Sequence, residues 1–445
     1  YTLEDLGPAL GIALNASGQA TGSVLPGGSP QQAARLQGGT PPQPLGFLVP
    51  NGWISFASGI NDAGVIVGLS ATDTLGCCAR GFRWTLATGM QLLPTLPGTT
   101  SQSQGTSINS LGTVVGFAVI EVLQGAIIVT VRRPLVVIGT QASDLGTLGG
   151  LEGVAQYISD AGDIVGESQL PASTTFRATL WPVTGGVVDL QTLPGTFSFA
   201  NALTNDRRIV GQLNSRSFLW TPTTGMQLLA LLPGNTSSTA RDINEAGLIV
   251  GSGDPPSAPD SEPHAQVWEN GVPFDLNLQL DTPGWYLETA SAINDAGQIL
   301  TLCDLAGEQH ACLLTPSASP PIAMVPPPTV LPPSTIPPSA PVPPPPGTPT
   351  LPPMLIAEPV PPAPQPMPQL PPGEEPPPVA NDPPPQTTSP TTTPIMASTS
   401  GGGRGGCSMD RGTPEAGIDP VLLSLAALMI GHLIWSRSRK KEVGV

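Results

Sequence analysis

The stretch Ile60-Asn61-Asp62-Ala63-Gly64-Val65-Ile66-Val67-Gly68 is one of seven versions of a nine-residue phrase in this chain. The final residues of successive versions are 46, 48, 50, 45, 40 and 50 positions apart. The other six versions are Leu14 to Gly22, Ile108 to Gly116, Ile158 to Gly166, Leu203 to Gly211, Ile243 to Gly251 and Ile293 to Thr301. A period of 40 to 50 residues is typical of a solenoid, a propeller or an array.

The middle of the phrase has the chemistry of a tight turn. Its second residue is Asn, Ser or Thr in all seven versions, and these side chains can accept a hydrogen bond from the backbone ahead. Its fifth residue is glycine in six versions, which indicates a backbone with positive φ in a hairpin loop. The fifth version has Arg207 there and is expected to form a different turn. The best turn-forming pairs are Asn61 and Gly64, Asn109 and Gly112, Asn244 and Gly247, and Asn294 and Gly297.

Other recurring stretches complete a repeat of four short strands. One is a strand that ends at Trp84, Trp181, Trp220 or Trp268, with weaker versions ending at Val49, Val129 and Leu314. Another is the Asp-Leu-Gly-Thr-Leu-Gly-Gly stretch at 144–150. Four strands in about 46 residues predict a propeller blade.

The ends of the repeat region predict closure of a seven-bladed β-propeller. The chain opens on an Asp-Leu-Gly strand at 1–7, and the seventh repeat lacks its own copy, so the first strand can complete the last blade. An open stack of sheets, or a ring that loses a blade through misalignment of the third repeat (108–139), is the alternative.

Composition divides the chain into further segments. Residues 1–315 form the repeat domain, and they hold 10 arginines, no lysine and 24 acidic residues, which argues against a nucleic-acid partner. Residues 316–400 are predicted to be a disordered Pro-rich linker, since 34 of the 57 prolines lie between 316 and 394. A semi-rigid stalk is favoured over a docking peptide for proline-recognising domains.

The C-terminal segments predict a membrane anchor. A Gly/Cys segment at 401–417 precedes an apolar run at 418–436, which is long enough for a thin bilayer and is favoured over a buried helix of a soluble domain. The basic tail at 437–445 is expected to stay cytoplasmic, so the propeller is expected to be extracytoplasmic. The chain begins at Tyr1, so either a signal peptide has been removed or the sequence is truncated.

Five cysteines show no zinc-binding spacing. Cys303 and Cys312 bracket a loop between two strand-like runs, so a hairpin disulfide and a pair of buried thiols are both open. Cys77 and Cys78 are expected to be free thiols in a loop.

The sequence contains no recognisable catalytic, metal-binding or cofactor motif. His264 and His310 begin equivalent strands and are interpreted as strand-end residues, and the Asn-Asp-Ala-Gly stretch is interpreted as a turn rather than a calcium loop. We therefore predict a binding or structural module with an unknown surface ligand, protein or glycan, met by the loops at 27–43 and 252–262. The alternative is a propeller-type extracellular enzyme that acts on glycans.

The repeat phrases resemble those of the HAF-repeat family of bacterial extracellular proteins. The resemblance rests on the Asn-Asp-Ala-Gly stretches at 61–64 and 294–297, the stretch at 144–150, and the His-Ala strand starts at 264–265 and 310–311. It covers residues 1–315 and implies export rather than a reaction.

The tail resembles bacterial C-terminal sorting signals of the JDVT-CTERM type, with a Gly-Cys-Ser stretch at 406–408 that also fits the MYXO-CTERM type. The resemblance implies that an intramembrane sorting protease cuts near Cys407 and that Cys407 is the processing and anchoring residue. The protein is thus expected to be exported and held at the membrane or cell surface of a bacterium.

Overall fold

Seven antiparallel sheets of four strands each confirm the predicted seven-bladed β-propeller. This computed structural model describes residues 1–25, 30–50, 52–71, 79–124, 127–190, 197–254 and 263–317. The predicted linker beyond residue 317, the Gly/Cys segment with Cys407, the predicted membrane helix, the basic tail, and Cys77 and Cys78 lie outside these ranges. Within the ranges, no helix combines the length and apolar character that crossing a bilayer requires.

The strands follow one another around the ring in chain order. Blade 1 consists of β2 (Leu10–Leu14), β3 (Ala20–Val24), β4 (Gln32–Leu36) and β5 (Gln43–Pro44), and blade 2 of β6 (Ile54–Ile60), β7 (Ile66–Ala71), β8 (Ala79–Thr85) and β9 (Gly89–Leu92). Blade 3 consists of β10 (Thr99–Ile108), β11 (Val114–Gln124), β12 (Ile127–Ile138) and β13 (Gln141–Asp144). Blade 4 consists of β14 (Gly153–Ile158), β15 (Ile164–Gln169), β16 (Phe176–Trp181) and β17 (Val188–Asp189). Blade 5 consists of β18 (Ser198–Leu203), β19 (Ile209–Leu213), β20 (Arg216–Thr221) and β21 (Gly225–Leu228). Blade 6 consists of β22 (Ser237–Ile243), β23 (Ile249–Asp254), β24 (His264–Glu269) and β25 (Val272–Asp275). Blade 7 consists of β26 (Trp285–Ile293), β27 (Ile299–Leu305), β28 (Glu308–Thr315) and β1 (Thr2–Asp5). A 3-10 helix, Leu276–Gln279, precedes the seventh blade.

The repeated phrase forms the hairpin between the first and second strands of every blade. In blade 2, Asn61 N–H donates to Val65 O at 3.1 Å, and Gly64, with φ +71°, donates to Asn61 O at 2.9 Å. These seven turns lie at one end of the ring, which we call the turn face. Because successive strands are antiparallel, the connections between blades lie at the opposite end, which we call the loop face.

The fifth hairpin corrects a prediction, because Arg207 does not change the turn. Arg207 adopts φ +65°, and its N–H donates to Thr204 O at 3.0 Å as the glycines do in the other blades. A non-glycine residue is strained in this region. The Arg207 side chain offsets that cost by donating two hydrogen bonds to buried Asp163, from Nε at 2.7 Å and from Nη2 at 3.0 Å.

A bulge in every first strand explains the glycine that ends the phrase. The register of the first strand shifts by one residue in each blade, for example between Ala57 and Gly59 in blade 2. There, a Cβ added at Gly68 would lie 2.0 Å from Phe56 O. In blade 2 the close approach of the two backbones therefore excludes a side chain at Gly68, whereas blade 7 accommodates Thr301 at the equivalent position. The flanking Ile66 and Val67 of the second strand are buried.

The strand register corrects two predicted strand ends. Trp84 pairs with Ile66 at the start of the second strand, and Leu36 and Val137 take that place in blades 1 and 3. Val49 instead lies in the connection to blade 2, and Val129 lies within β12. The predicted ligand loop 27–43 also contains β4 and β5, so only part of it is a loop.

Hydrophobic packing is concentrated at the seven junctions between neighbouring blades. Each junction has its own buried cluster, such as Phe82 and Trp84 with Ala33, or Trp268 with Ala202 and Val210. Every blade therefore buries its apolar faces against two neighbours, and no blade has a complete core of its own.

The first strand of the chain closes the ring, as predicted. β1 pairs antiparallel with β28, so that Thr2 lies opposite Thr315 and Asp5 lies opposite Cys312. In the same blade, Cys303 and Cys312 form a disulfide between β27 and β28, and both residues are buried. The junctions on either side of this blade hold the packing that closes the ring.

Reduction of this disulfide should lower the stability of the propeller. A bridge across nine positions is expected to contribute about 2–3 kcal/mol through its effect on the unfolded chain. Urea unfolding of the wild type with and without dithiothreitol measures that difference. The double variant Cys303→Ala/Cys312→Ala should show no response to the reductant, and an unchanged midpoint in the wild type would contradict the prediction.

Candidate functional site

The asparagines of the turns form hydrogen bonds from blade to blade around the axis. In each asparagine turn, the side-chain oxygen accepts a backbone N–H four residues ahead, as Asn61 Oδ1 does from Val65 at 3.0 Å. The side-chain nitrogen donates to the backbone carbonyl of the next turn. These donations run from Asn15 to Asn61, Asn61 to Asn109, Asn109 to Ser159, Asn244 to Asn294 and Asn294 to Asn15, at 3.1–3.3 Å.

In five of the seven turns, the residue after the Asn, Ser or Thr adds a second set of contacts between blades. Asp62 Oδ1 accepts the N–H of Ala16 at 2.8 Å, and Asp295 Oδ1 accepts that of Glu245 at 2.9 Å. The same arrangement joins Asp160 to Ser110 N, Asn205 to Ala161 N and Glu245 to Asn205 N. The carboxylates therefore cap a neighbouring turn, which explains why asparagine can replace them in blade 5.

Arginine side chains join the blades that lack the asparagine. Ser159 and Thr204 are too short to reach the next turn. Arg207 bridges back to Asp163 in blade 4, and Arg208 Nη2 donates forward to Glu245 O at 2.7 Å. The two arginines of the fifth turn thus supply the links between blades 4 and 5 and between blades 5 and 6 that Ser159 and Thr204 cannot form.

These turns surround an axial cavity of about 160 Å³ at the turn face. Tyr157 and the ends of the seven first strands line it, and the carboxylates of Asp62, Asp160, Glu245 and Asp295 stand around its mouth. Burial raises the pKa of Tyr157, and the nearby carboxylates, Asp242 first among them, raise it further. The phenol therefore stays neutral, so it can donate a hydrogen bond into the cavity but cannot serve as a base.

Asp242 is a buried carboxylate next in sequence to Ile243, which lines the cavity. Its two oxygens accept the N–H groups of Ile243 and Ile293, both at 2.9 Å, so it joins blade 6 to blade 7. Burial raises its pKa to about 7, although the two N–H donors lower it. Asp242 therefore links blades 6 and 7, and its burial makes the charged form of its carboxyl group unfavourable.

Among the described residues, no cluster of metal-binding side chains lines the cavity. In the described part of the chain, no three His, Cys, Asp or Glu side chains are placed to hold a metal ion together. The turn residues Asn61, Gly64, Asn109, Gly112, Asn244, Gly247, Asn294 and Gly297 all surround this axis, where they build the ring. The disulfide Cys303–Cys312 lies in the last blade, away from the turns.

Sequence reasoning missed a set of ion pairs near the loop face. His264 Nδ1 lies 2.8 Å from Asp275, and His310 Nδ1 lies 2.8 Å from Asp5. Arg133 with Asp144 and Arg177 with Asp189 form the same contact in blades 3 and 4. The signal in the sequence was a basic residue four positions before Val137, Trp181, Trp268 or Leu314, in the blades whose fourth strand ends in Asp.

The comparisons with known proteins show no family. No protein-family model and no curated protein sequence matches the chain. A solved structure that matches is described as "Structural and Functional Analyses of XC5397 from Xanthomonas campestris: A Gluconolactonase Important in Glucose Secondary Metabolic Pathways". It is 10% identical, with a TM-score of 0.29, over 57% of this chain and 83% of that chain, and at this similarity it carries no argument about activity.

Loss of one asparagine link should destabilise the ring. Asn61→Ala removes one part-buried bond within its own turn and one buried bond to blade 3, and should cost about 2 kcal/mol of unfolding free energy. Asp62→Asn is the matched control, because Asn205 makes the same cap in blade 5; it should change stability by less than about 0.5 kcal/mol. Equal effects in chemical denaturation would contradict the assigned roles.

The raised pKa of Asp242 should make stability fall as pH rises. The folded state holds the Asp242 proton more tightly than the unfolded chain, so the penalty is absent below pH 4, grows between pH 4 and 7, and is full above pH 7. At ~1.4 kcal/mol per pKa unit, the loss should reach at most roughly 4 kcal/mol.

Unfolding free energies measured from pH 4 to 8 for wild type and Asp242→Asn isolate this contribution. The wild-type curve should fall relative to that of the variant as pH rises. Tyr157→Phe keeps the carboxyl group and should run parallel to the wild type. Parallel curves for wild type and Asp242→Asn would show that Asp242 is not the titrating group.

Proposed function

We propose that this protein is an exported, surface-anchored module that displays a seven-bladed propeller for binding at the cell surface. The single observation that carries the proposal is the unequal chemistry of the two faces of the ring. The turn face has its repeated polar groups engaged in blade-to-blade bonds, whereas the loop face exposes most of the large apolar side chains.

The exposed apolar residues are concentrated at the loop face. Among the residues that the structure describes, nine of the seventeen exposed large hydrophobic residues lie there, in the connections and at the strand ends that border them. They are Leu25, Val49, Trp53, Leu123, Ile127, Ile128, Phe197, Leu278 and Leu305. Four others lie at the turn face and four on outer strands. Exposed apolar side chains of this size are typical of interaction surfaces.

The attachment point of the linker leaves that face free. β28 runs towards the turn face and ends at Thr315, so the Pro-rich segment begins at the turn face. If that segment is a stalk, it joins the ring on the side opposite the apolar residues. The strands that flank the described ends of the predicted ligand loops, 27–43 and 252–262, include β3 and β23, whose last residues Val24 and Asp254 lie at the loop face.

The disulfide supports export. Structural disulfides form in oxidising compartments such as the periplasm and the cell exterior, and are rare in the cytosol. The resemblance of residues 1–315 to HAF-repeat proteins and of the tail to bacterial sorting signals supports the same proposal. In it, the apolar run 418–436 enters the membrane and Cys407 is the site of processing and anchoring.

The proposal predicts surface exposure that depends on Cys407. Full-length protein produced with an export signal in a bacterium with the matching sorting machinery should be degraded by protease added to intact cells. Cys407→Ser should change the mature C-terminus in mass spectrometry and reduce the surface fraction. Cys77→Ser/Cys78→Ser, with the same chemical change in the propeller, should leave both unchanged. A protease-resistant, intracellular propeller with reduced Cys303 and Cys312 would overturn the proposal.

A further inference from the structure

A charged cluster lies near the loop face where blades 3 and 4 meet. Arg132 in β12 donates two hydrogen bonds to Glu152 Oε2, from Nε at 3.2 Å and from Nη2 at 3.1 Å. Its guanidinium carbon lies 5.8 Å from the centre of the Phe176 ring at the start of β16. Glu167 in β15 is electrostatically coupled to both Arg132 and Glu152. We call these four residues the Glu167 cluster.

Three phenylalanine rings extend the cluster towards blade 5. The centres of the Phe176 and Phe197 rings are 6.3 Å apart, and those of Phe197 and Phe199 are 5.8 Å apart, both in edge-to-face geometry. Phe197 is 42% exposed although it belongs to this packed set. The rings therefore present an aromatic surface to solvent beside a set of charged groups.

Two polar groups of the cluster have hydrogen-bonding capacity that the described residues do not use. Glu167 is only 8% exposed, but its carboxyl oxygens are not among the fully buried atoms without a partner, so they remain open to solvent or to a ligand. Arg132 Nη1 is buried and lacks an acceptor among the described residues. Burial raises the pKa of Glu167 to about 7, against the opposing effect of Arg132. Leaving buried polar groups unpaired is costly, so their presence calls for a reason.

The repeat does not require these residues. The positions equivalent to Glu167, one after the glycine that ends the phrase, hold Ser23, Leu69, Phe117, Gln212 and Ser252, with Leu302 in the seventh blade. None of them is a carboxylate. The side chains that build the ring recur from blade to blade, so a costly group that occurs once points to function rather than to the fold.

The chain around Glu152 is fixed before any ligand arrives. Gln169 N–H donates to Glu152 O at 2.9 Å, and Leu148 N–H donates to Ser168 Oγ at 2.9 Å. Leu151 N–H donates to Gln169 Oε1 at 3.2 Å. The two residues that follow Glu167 in β15 thus hold the connection that carries Glu152, and a preorganised site loses less entropy on binding.

We propose that the Glu167 cluster and Phe197 bind a neutral, hydroxyl-rich ligand of the saccharide class. A hydroxyl group both donates and accepts, so it can meet the needs of a carboxyl group and a guanidinium group. The charges of Arg132 and Glu152 offset each other in their ion pair, and burial disfavours the charged form of Glu167, so the cluster offers little net charge to attract an ionic ligand. The exposed aromatic surface suits the apolar face of a sugar ring.

This inference deepens the proposed function by naming a ligand class for the loop face. Purified full-length chain should be titrated with a panel of neutral hexoses and disaccharides, with a uronic acid and an amino sugar for comparison. Saturation-transfer NMR detects contact and calorimetry gives the Kd. Neutral sugars should bind, and the charged analogues should bind more weakly.

Two variants locate the binding. Glu167→Gln should weaken binding at least tenfold, as expected for loss of a bond to a charged group, and Phe197→Ala should weaken it about 3- to 10-fold. Leu86→Ala, a 76% exposed residue between β8 and β9 at the turn face, is the control and should bind as the wild type does. Thermal unfolding checks that each variant is folded. If Glu167→Gln does not fold, Phe197→Ala still decides the test.

Several outcomes would overturn the inference. If Glu167 holds only a buried water, no sugar will give a saturation-transfer signal. Sugar binding that both variants retain would place the site elsewhere on the molecule. Surface exposure is measured on cells and sugar binding on purified protein, so intact display without sugar binding rejects the site alone. Sugar binding by a protein that stays inside the cell rejects the display proposal alone.

Discussion

Closure of the ring is the constraint on which the rest of this structure depends. Each blade buries its apolar residues against its neighbours, so an open array would leave two faces without a partner. The pairing of β1 with β28 supplies the fourth strand of the last blade, and the bond from Asn294 to Asn15 O continues the turn contacts across the junction. The junction clusters, the axial cavity and both faces follow from that closure.

The architecture was predictable because closure requires the same local solution seven times. A turn that needs a side-chain acceptor and positive φ leaves asparagine and glycine in the sequence at a fixed period. Details that depend on contacts between blades were not predictable. In the sequence, Arg207 is an exception to the glycine of the repeat. Its role in joining blades 4 and 5 is visible only in the structure, where Asp163, 44 residues away, lies beside it. The third-strand ends at Leu36 and Val137 lack an aromatic residue, so the strand register alone identifies them.

The candidate site was less accessible to sequence reasoning for a related reason. Tyr157 and Asp242 belong to different blades, and Asp242 raises the pKa of Tyr157 only because the closed ring brings the blades together. The Glu167 cluster likewise draws Arg132 and Glu152 from separate stretches of chain. Repetition identifies residues that build the fold, and a residue that departs from the repeat without disturbing it can be recognised only after the repeated positions have been aligned in space.

The two faces of the ring differ because the repeat constrains only one of them. All seven hairpins at the turn face must bond to their neighbours, so their polar groups are committed and a change there costs stability. The connections at the loop face vary from the single glycine-containing turn after Leu305 to the connection that carries Glu152. Strands packed at the junctions hold these connections in place whatever their sequence. A new binding surface can therefore arise at the loop face without loss of the fold, and Glu167, buried at the base of that face, shows that the fold tolerates a costly group there.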